Sequence, residues 1–158
     1  MRIANIKYND IVDGNGVCVS VWFQGCPYKC KGCHNPKTWD FNGGYEIEYA
    51  ELEKIVLEGL NKNGVLRNLS LLGGEPLYMP NLEYAVKLAA AAKQKYPNIK
   101  VYCWTGSTYE SLIKRYGKEI FNNIDVLIDG PFILKERDIT LYLRGSKNQR
   151  VLYKGVDF

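Results

Sequence analysis

The sequence lacks any apolar run long enough to cross a bilayer, and its first residues lack the apolar stretch of a secretory signal peptide. We therefore expect no membrane association and a cytoplasmic location. Repeats, low-complexity tracts and linker-like segments are missing too, so we expect a single domain spanning residues 1–158 with a real core. A hydrophobic content of 46% is typical of a folded globular protein.

A strong excess of charge of one sign is also missing, because the formal net charge is only +4. No recognisable binding motif accompanies this charge, so we expect no nucleic-acid partner. Basic residues do gather late in the chain, where they form either a solvated face or a docking surface for an acidic partner or electron donor. These residues are Lys135, Arg137, Arg144, Lys147, Arg150 and Lys154.

Cysteine occurs five times, an odd number that argues against a disulfide framework in a chain without a signal peptide. Cys26, Cys30 and Cys33 have the spacing C-x3-C-x2-C. Three thiolates can hold three corners of a cubane iron–sulfur cluster, which leaves one iron open to a small molecule. A structural zinc site is the alternative, and it needs a fourth ligand. The candidates for that ligand are Cys18, Cys103 and His34.

Segments with strand and helix patterns alternate along the rest of the chain. Strands are predicted at 17–23, 68–72, 99–104 and 124–128, and helices at 48–60, 81–95 and 109–116, the last two capped by Asn81 and Thr108. This alternation predicts βαβ units and a parallel sheet. A complete eight-unit barrel needs ~250 residues. The predicted fold class is therefore α/β, a single domain with an incomplete (partial) β/α barrel and a mostly parallel sheet.

A polar or glycine-rich turn follows each predicted strand. These turns are the cysteine segment, Gly73-Gly74-Glu75-Pro76, Thr105-Gly106 and Asp129-Gly130-Pro131. The carboxyl ends of parallel strands form the active face of such folds, so we expect the four turns to converge. Glycines let a ligand approach the backbone, and the Glu75 carboxylate can accept hydrogen bonds from an ammonium group. An ordinary turn is the other interpretation of Gly73–Pro76.

The cysteine spacing and the Gly-Gly-Glu-Pro turn together resemble the radical S-adenosylmethionine (SAM) superfamily. The resemblance implies a [4Fe–4S] cluster on Cys26, Cys30 and Cys33, with SAM bound to the open iron. In that superfamily an electron from the cluster cleaves SAM to methionine and a 5′-deoxyadenosyl radical. The implied SAM contacts are Gly32, Cys33 and His34 beside the cluster and Gly73, Gly74 and Glu75 on the methionine side. Many members carry an aromatic residue where this chain has Gly32.

Three further segments narrow the resemblance to one branch. Cys103-Trp104-Thr105-Gly106 is similar to a strand end of glycyl-radical activating enzymes. Segments 129–132 and 144–150 resemble the end of the anaerobic ribonucleoside-triphosphate reductase activating protein family. The resemblance implies that the partner is the glycyl-radical subunit of that reductase and that the electron donor is of the flavodoxin type.

Two interpretations from other classes stay open at this point. One is an activator of another glycyl-radical enzyme, of the pyruvate formate-lyase type, and the other is a non-enzymatic zinc-binding interaction module. Segment 144–150 contains glycine, small polar residues and two arginines, which suits an adaptable docking loop. Cys18 and Cys103 lie within apolar strands and are expected to be small core residues.

Overall fold

Seven strands and three α-helices make up the protein, for which the computed structural model describes residues 1–158. The strands are β1 Arg2–Asp10, β2 Cys18–Phe23, β3 Tyr45–Glu46, β4 Asn68–Gly73, β5 Val101–Trp104, β6 Val126–Asp129 and β7 Arg150–Tyr153. The helices are α1 Tyr49–Leu60, α2 Asn81–Lys95 and α3 Tyr109–Tyr116. Short 3-10 turns lie at Pro36–Thr38, Lys62–Gly64, Glu119–Phe121 and Leu134–Glu136.

The strands form one sheet in the order β3-β1-β2-β4-β5-β6-β7. The pairings β2–β4, β4–β5 and β5–β6 are parallel, and α1, α2 and α3 supply the crossovers between these strands. The pairings of β1, β3 and β7 with their neighbours are antiparallel. The predicted α/β class is confirmed. The sheet is mixed rather than mostly parallel, because the three strands that the sequence analysis did not predict all pair antiparallel.

The helices begin and end close to their predicted positions, but only one of the two predicted caps is present. The Thr108 side chain accepts a hydrogen bond from Ser111 N at the start of α3, as predicted. The cap position of α2 is Pro80, which makes no side-chain cap bond, so the prediction of Asn81 as the cap was wrong. No helix has the length and hydropathy that crossing a bilayer requires.

The two faces of the sheet have different coverings. Side chains on alternate positions of β2 and β5, such as Val21, Phe23 and Val101, are buried in the main core against α1 and α2. Each fully buried large apolar side chain contributes about 1.5–3 kcal/mol, so this face supplies most of the stability. Tyr102 and Trp104 belong to a separate small cluster on the other face. That second face carries the cavity described below.

Candidate functional site

A cavity of about 790 Å³ opens at the carboxyl ends of the parallel strands. The turns after β2, β4, β5 and β6 all contribute to its wall, together with loop 11–16 and part of segment 130–149. The expected convergence of the four strand-end turns is therefore confirmed, and the volume is typical of a small-molecule site. The cavity wall includes every residue predicted to hold the cluster or SAM: Cys26, Cys30, Gly32, Cys33, His34, Gly73, Gly74 and Glu75.

Backbone hydrogen bonds close the base of the cysteine loop, which spans residues 24–44. Gly25 N donates to Thr38 O at 2.8 Å, and Cys26 N donates to Trp39 O at 3.1 Å. The buried side chain of Gln24 donates to two more carbonyls of the returning segment, at 3.0 and 2.6 Å. These bonds give a loop with little regular secondary structure a defined conformation, and they place Cys26 at its anchored end.

The three loop cysteines carry free thiols at different depths. Cys26 is buried, and this burial raises the pKa of its thiol to about 11, whereas Cys30 and Cys33 are half-buried. The Cys33 Sγ accepts a hydrogen bond from Asn35 N at 3.4 Å. No three His, Cys, Asp or Glu side chains are grouped so that they could hold a single metal ion. By its chemistry the donor set fits an iron–sulfur cluster, because thiolates are the ligands of such clusters.

The other two cysteines lie away from the cavity wall. Cys18 and Cys103 are fully buried within β2 and β5. Burial raises the pKa of both thiols, so both side chains stay neutral. Their prediction as small core residues is confirmed.

The Gly73–Pro76 turn packs directly on the start of the cysteine loop. Gly74 N donates to Phe23 O at 2.8 Å, and Glu75 N donates to Gly25 O at 2.9 Å. A Cβ atom on Gly74 would lie 2.4 Å from Gly25 O, closer than side chains approach a backbone atom. Glycine is therefore required at position 74 by the approach of the two backbones. The two motifs found in the sequence form one packed unit.

We expect Gly74→Ala to lower the free energy of unfolding by about 2–3 kcal/mol, because the added methyl group overpacks against backbone that cannot rotate away. For a chain of this length the midpoint of thermal unfolding should fall by roughly 5–10 °C. Gly145→Ala is the matched control, since the nearest neighbours of its Cβ would be side chains, the Phe132 ring at 3.2 Å and Gln149 Oε1 at 3.8 Å. Equal melting temperatures for the two variants would show that the turn is not tightly packed on the loop.

Glu75 joins the ends of β4 and β5 from a buried position. Its side chain accepts hydrogen bonds from Leu77 N at 3.0 Å and Gly106 N at 2.6 Å, and the residue is 1% exposed. Burial raises the pKa of the carboxyl group to about 7, against the hydrogen bonds that lower it. The carboxyl group in the cavity wall is therefore partly protonated near neutral pH.

Proteins of known family match this chain over most of its length. The family described as "4Fe-4S single cluster domain" matches residues 12–152. The anaerobic ribonucleoside-triphosphate reductase-activating protein of Vibrio cholerae is 34% identical over 140 residues, which cover 89% of this chain and 90% of that protein. The proteins of the same name from Escherichia coli K12 and Enterobacteria phage T4 are each 34% identical over 90% of this chain and cover 92% and 87% of their own lengths.

This chain belongs to the anaerobic ribonucleoside-triphosphate reductase-activating protein family. The resemblance noted in the sequence is thereby confirmed. The family assignment also agrees with the cysteine loop, since the matched domain is one that carries a single 4Fe–4S cluster.

Tyr28 ties the cysteine loop of this family member to the end of β5, a contact that the sequence analysis missed. Its hydroxyl group shares a hydrogen bond with Ser107 Oγ. A Cβ atom on Gly106 would lie 2.6 Å from the Tyr28 ring, so the glycine of the Trp-Thr-Gly segment makes room for this tyrosine. The family resemblance had singled out the Trp-Thr-Gly segment, but nothing in the sequence indicated that Tyr28 packs on it.

Asn81, the residue wrongly predicted as a helix cap, instead links the two motif segments. Its buried side chain donates from Nδ2 to Gln24 O at 2.9 Å and to Glu75 O at 3.1 Å. Gln24 precedes the cysteine motif, and Glu75 belongs to the Gly-Gly-Glu-Pro turn. The first residue of α2 therefore helps to keep the two segments together in this family member.

Arg150, predicted to belong to a docking loop, is instead the first residue of β7 and is held by two carboxylates. Its Nε donates to the fully buried Asp129 at 2.9 Å, and its terminal nitrogens donate to Glu110 at 3.0 and 2.8 Å. These carboxylates raise the pKa of the guanidinium further above its ordinary value. Asp129 also accepts a hydrogen bond from Tyr109 N at 2.8 Å. Arg150 therefore supports the turn after β6 and is not free to dock a partner.

Proposed function

We propose that this chain activates the anaerobic ribonucleoside-triphosphate reductase by cleaving SAM reductively at a [4Fe–4S] cluster and leaving a glycyl radical on the glycyl-radical subunit of the reductase. The observation that supports this most is that the three loop thiols and the Gly73–Glu75 turn line one cavity and belong to one packed unit. The names of the relatives supply the target, since each is called an activating protein of that reductase.

Cys26, Cys30 and Cys33 would hold the cluster, and three protein ligands would leave one iron free for SAM. When bound, the cluster would supply the single electron for reductive cleavage of SAM to methionine, and the glycine Cα would give up one hydrogen atom to the 5′-deoxyadenosyl part of SAM. The products are 5′-deoxyadenosine and the glycyl radical. Gly32, Cys33 and His34 would lie beside the cluster, and Gly73, Gly74 and Glu75 on the methionine side of SAM.

The chain itself would orient SAM and exclude water. The turn at Gly73–Gly74 offers backbone carbonyl groups, and Glu75 offers a carboxyl group, for the SAM ammonium. Trp22, Leu72 and Trp104 give the cavity an apolar wall at the strand ends. In this proposal residues 1–158 form a single radical SAM domain, and the open sheet curves as an incomplete barrel around the ligand.

Two proteins would meet this chain during the reaction. The glycyl-radical subunit of the reductase presents its glycine at the cavity, and a flavodoxin-type donor supplies the electron. A cavity that opens to the surface suits a substrate carried on a protein loop. The location proposed for all of this chemistry is the cytoplasm.

The test is anaerobic incubation of the reconstituted protein with SAM, a reductant and the reductase, followed by electron paramagnetic resonance. We expect a glycyl radical on the reductase and an equivalent amount of 5′-deoxyadenosine. Pyruvate formate-lyase in place of the reductase should give no radical. A radical on pyruvate formate-lyase alone would assign the protein to the other activating branch, and zinc without iron or sulfide after reconstitution would leave a zinc-binding interaction module.

A further inference from the structure

The segment between β6 and β7, residues 130–149, forms part of the cavity wall, and we refer to it as the strap. Its two ends are joined by side chains of the Ser-x-Asn-Gln sequence. Asn148 Nδ2 donates to Pro131 O at 2.7 Å, and Gln149 Nε2 donates to Gly130 O at 3.1 Å. The buried Ser146 Oγ accepts a hydrogen bond from Ile133 N at 3.2 Å. These motif residues close the strap on itself and form its base.

The strap is fixed to both sides of the cavity. Trp104 Nε1 donates to Leu143 O at 2.8 Å, and the Tyr142 hydroxyl bonds to the side chain of Asn15 in loop 11–16. At its other end Leu134 covers Gly32 of the cysteine loop, where a Cβ would lie 2.8 Å from Leu134 Cδ1. The strap and loop 11–16 therefore both border the cavity, and the exposed side chains on them mark an entrance from solvent.

Exposed apolar side chains face this entrance from both sides. Ile11 and Val12 of loop 11–16 are each 74% exposed, Ile139 at the tip of the strap is 80% exposed, and all three belong to the cavity wall. Large apolar side chains clustered in this way mark interaction surfaces rather than ordinary solvated loops. Their position at the rim, continuous with the cavity, suits a partner segment that enters it.

Arg144 adds an unpaired cation to the same wall. Its guanidinium donates to Gln149 O at 2.8 Å, its Nε is buried without a hydrogen-bond partner, and it takes part in none of the ion pairs of the chain. A buried donor without a partner is costly, and guanidinium groups bind carboxylates in charge-assisted pairs. Arg137, also unpaired and in the cavity wall, adds to the positive charge.

We propose that the entrance between loop 11–16 and the strap is the docking surface for the glycine-bearing segment of the reductase. An apolar side chain of that segment packs on Ile11, Val12 and Ile139, and a carboxylate of the segment pairs with Arg144. This proposal rests on the proposed function, because it names the surface by which that function reaches its protein substrate.

The experiment titrates the reductase against fixed amounts of reconstituted protein, SAM and reductant, and reads the glycyl radical by electron paramagnetic resonance. The variants are Ile139→Ser and Arg144→Gln. Each has a matched control that makes the same kind of change outside the cavity wall: Val156→Ser, at a residue 84% exposed, and Lys147→Gln, at an exposed residue of the strap. Thermal unfolding of all four variants checks the fold, and 5′-deoxyadenosine release without reductase checks the SAM chemistry.

We expect Ile139→Ser and Arg144→Gln each to raise the reductase concentration for half-maximal radical about tenfold, equivalent to ~1.4 kcal/mol of binding. The two controls should follow the wild type, and release of 5′-deoxyadenosine without reductase should be the same in all five proteins. Added salt should weaken activation by the wild type more than by Arg144→Gln, because an ion pair is screened.

Titration curves for both variants that overlie the control curves would overturn the docking proposal. An equal loss of reductase-free SAM cleavage would overturn it too, because these residues would then belong to the SAM pocket or the fold. Absence of a glycyl radical with the wild type is a separate result, which refutes the proposed function itself.

Discussion

Replacing any one of Cys26, Cys30 and Cys33 by alanine should abolish both the iron–sulfur content and SAM cleavage. Two remaining thiolates cannot hold a cubane that needs three protein ligands to leave one iron open. Cys18→Ala and Cys103→Ala make the same chemical change in buried residues outside the cavity wall, so they should keep the cluster. The cost of these two changes should appear only as a modest loss of stability from a small cavity.

The measurements are iron and sulfide content after anaerobic reconstitution and 5′-deoxyadenosine release with a chemical reductant. If Cys18→Ala or Cys103→Ala lost the cluster as completely as Cys30→Ala, a fourth thiolate would ligate it and no iron would be open to SAM. Wild-type levels of cluster in Cys26→Ala would remove the most deeply buried of the three loop thiols from the ligand set.

Arg150→Ala should lower the free energy of unfolding by about 3 kcal/mol, the low end of the range for removing one partner of a buried ion pair. The low end applies because the Arg150 side chain is itself 43% exposed, whereas Asp129 is fully buried and would keep an unpaired charge. Glu110→Gln is the comparison variant. It breaks the exposed half of the same network, for which the expected loss is about 0–1 kcal/mol.

Denaturant unfolding of the two single variants and of Arg150→Ala/Asp129→Asn measures this difference. The double variant should recover part of the stability, because the uncompensated carboxylate is gone while the amide oxygen can still accept the hydrogen bond from Tyr109 N. A loss for Arg150→Ala no larger than that for Glu110→Gln would show that the Asp129 pair contributes little.

Local signals in the sequence were sufficient to predict the helices and strands of the central α/β units. The boundaries of α2 and α3 and the Thr108 cap follow from residues within one or two turns of each other. The turns that form the cavity wall could be located because parallel strands place their carboxyl ends together. Strands β1, β3 and β7 were missed because they are stabilised by pairing with distant segments, as in the pairing of Arg2 with Glu46.

The roles of individual polar residues depended on partners that the sequence does not place. Arg144 and Arg150 look alike in sequence, yet one is unpaired at the cavity and the other meets a carboxylate 21 positions away. Asn81 is of a residue type that often caps helices, but its side chain instead donates hydrogen bonds to two carbonyls of the motif segments. Tyr28 could not be recognised, because Gly106, the residue that makes room for it, lies on another strand end.

The closed base of the strap separates the part of the chain that supports the sheet from the part that is exposed at the cavity. Gln149 joins Gly130 to the Gly145–Ser146 backbone, and Leu143 O accepts a hydrogen bond from Trp104 of β5, so the strap is fixed to the sheet on both sides of its exposed residue Ile139. The residues around Ile139 thus form a loop tip that a rigid framework supports. The length and sequence of that tip can therefore differ among relatives, or the tip can be exchanged between them, while the cysteine loop and its supporting turn stay as they are.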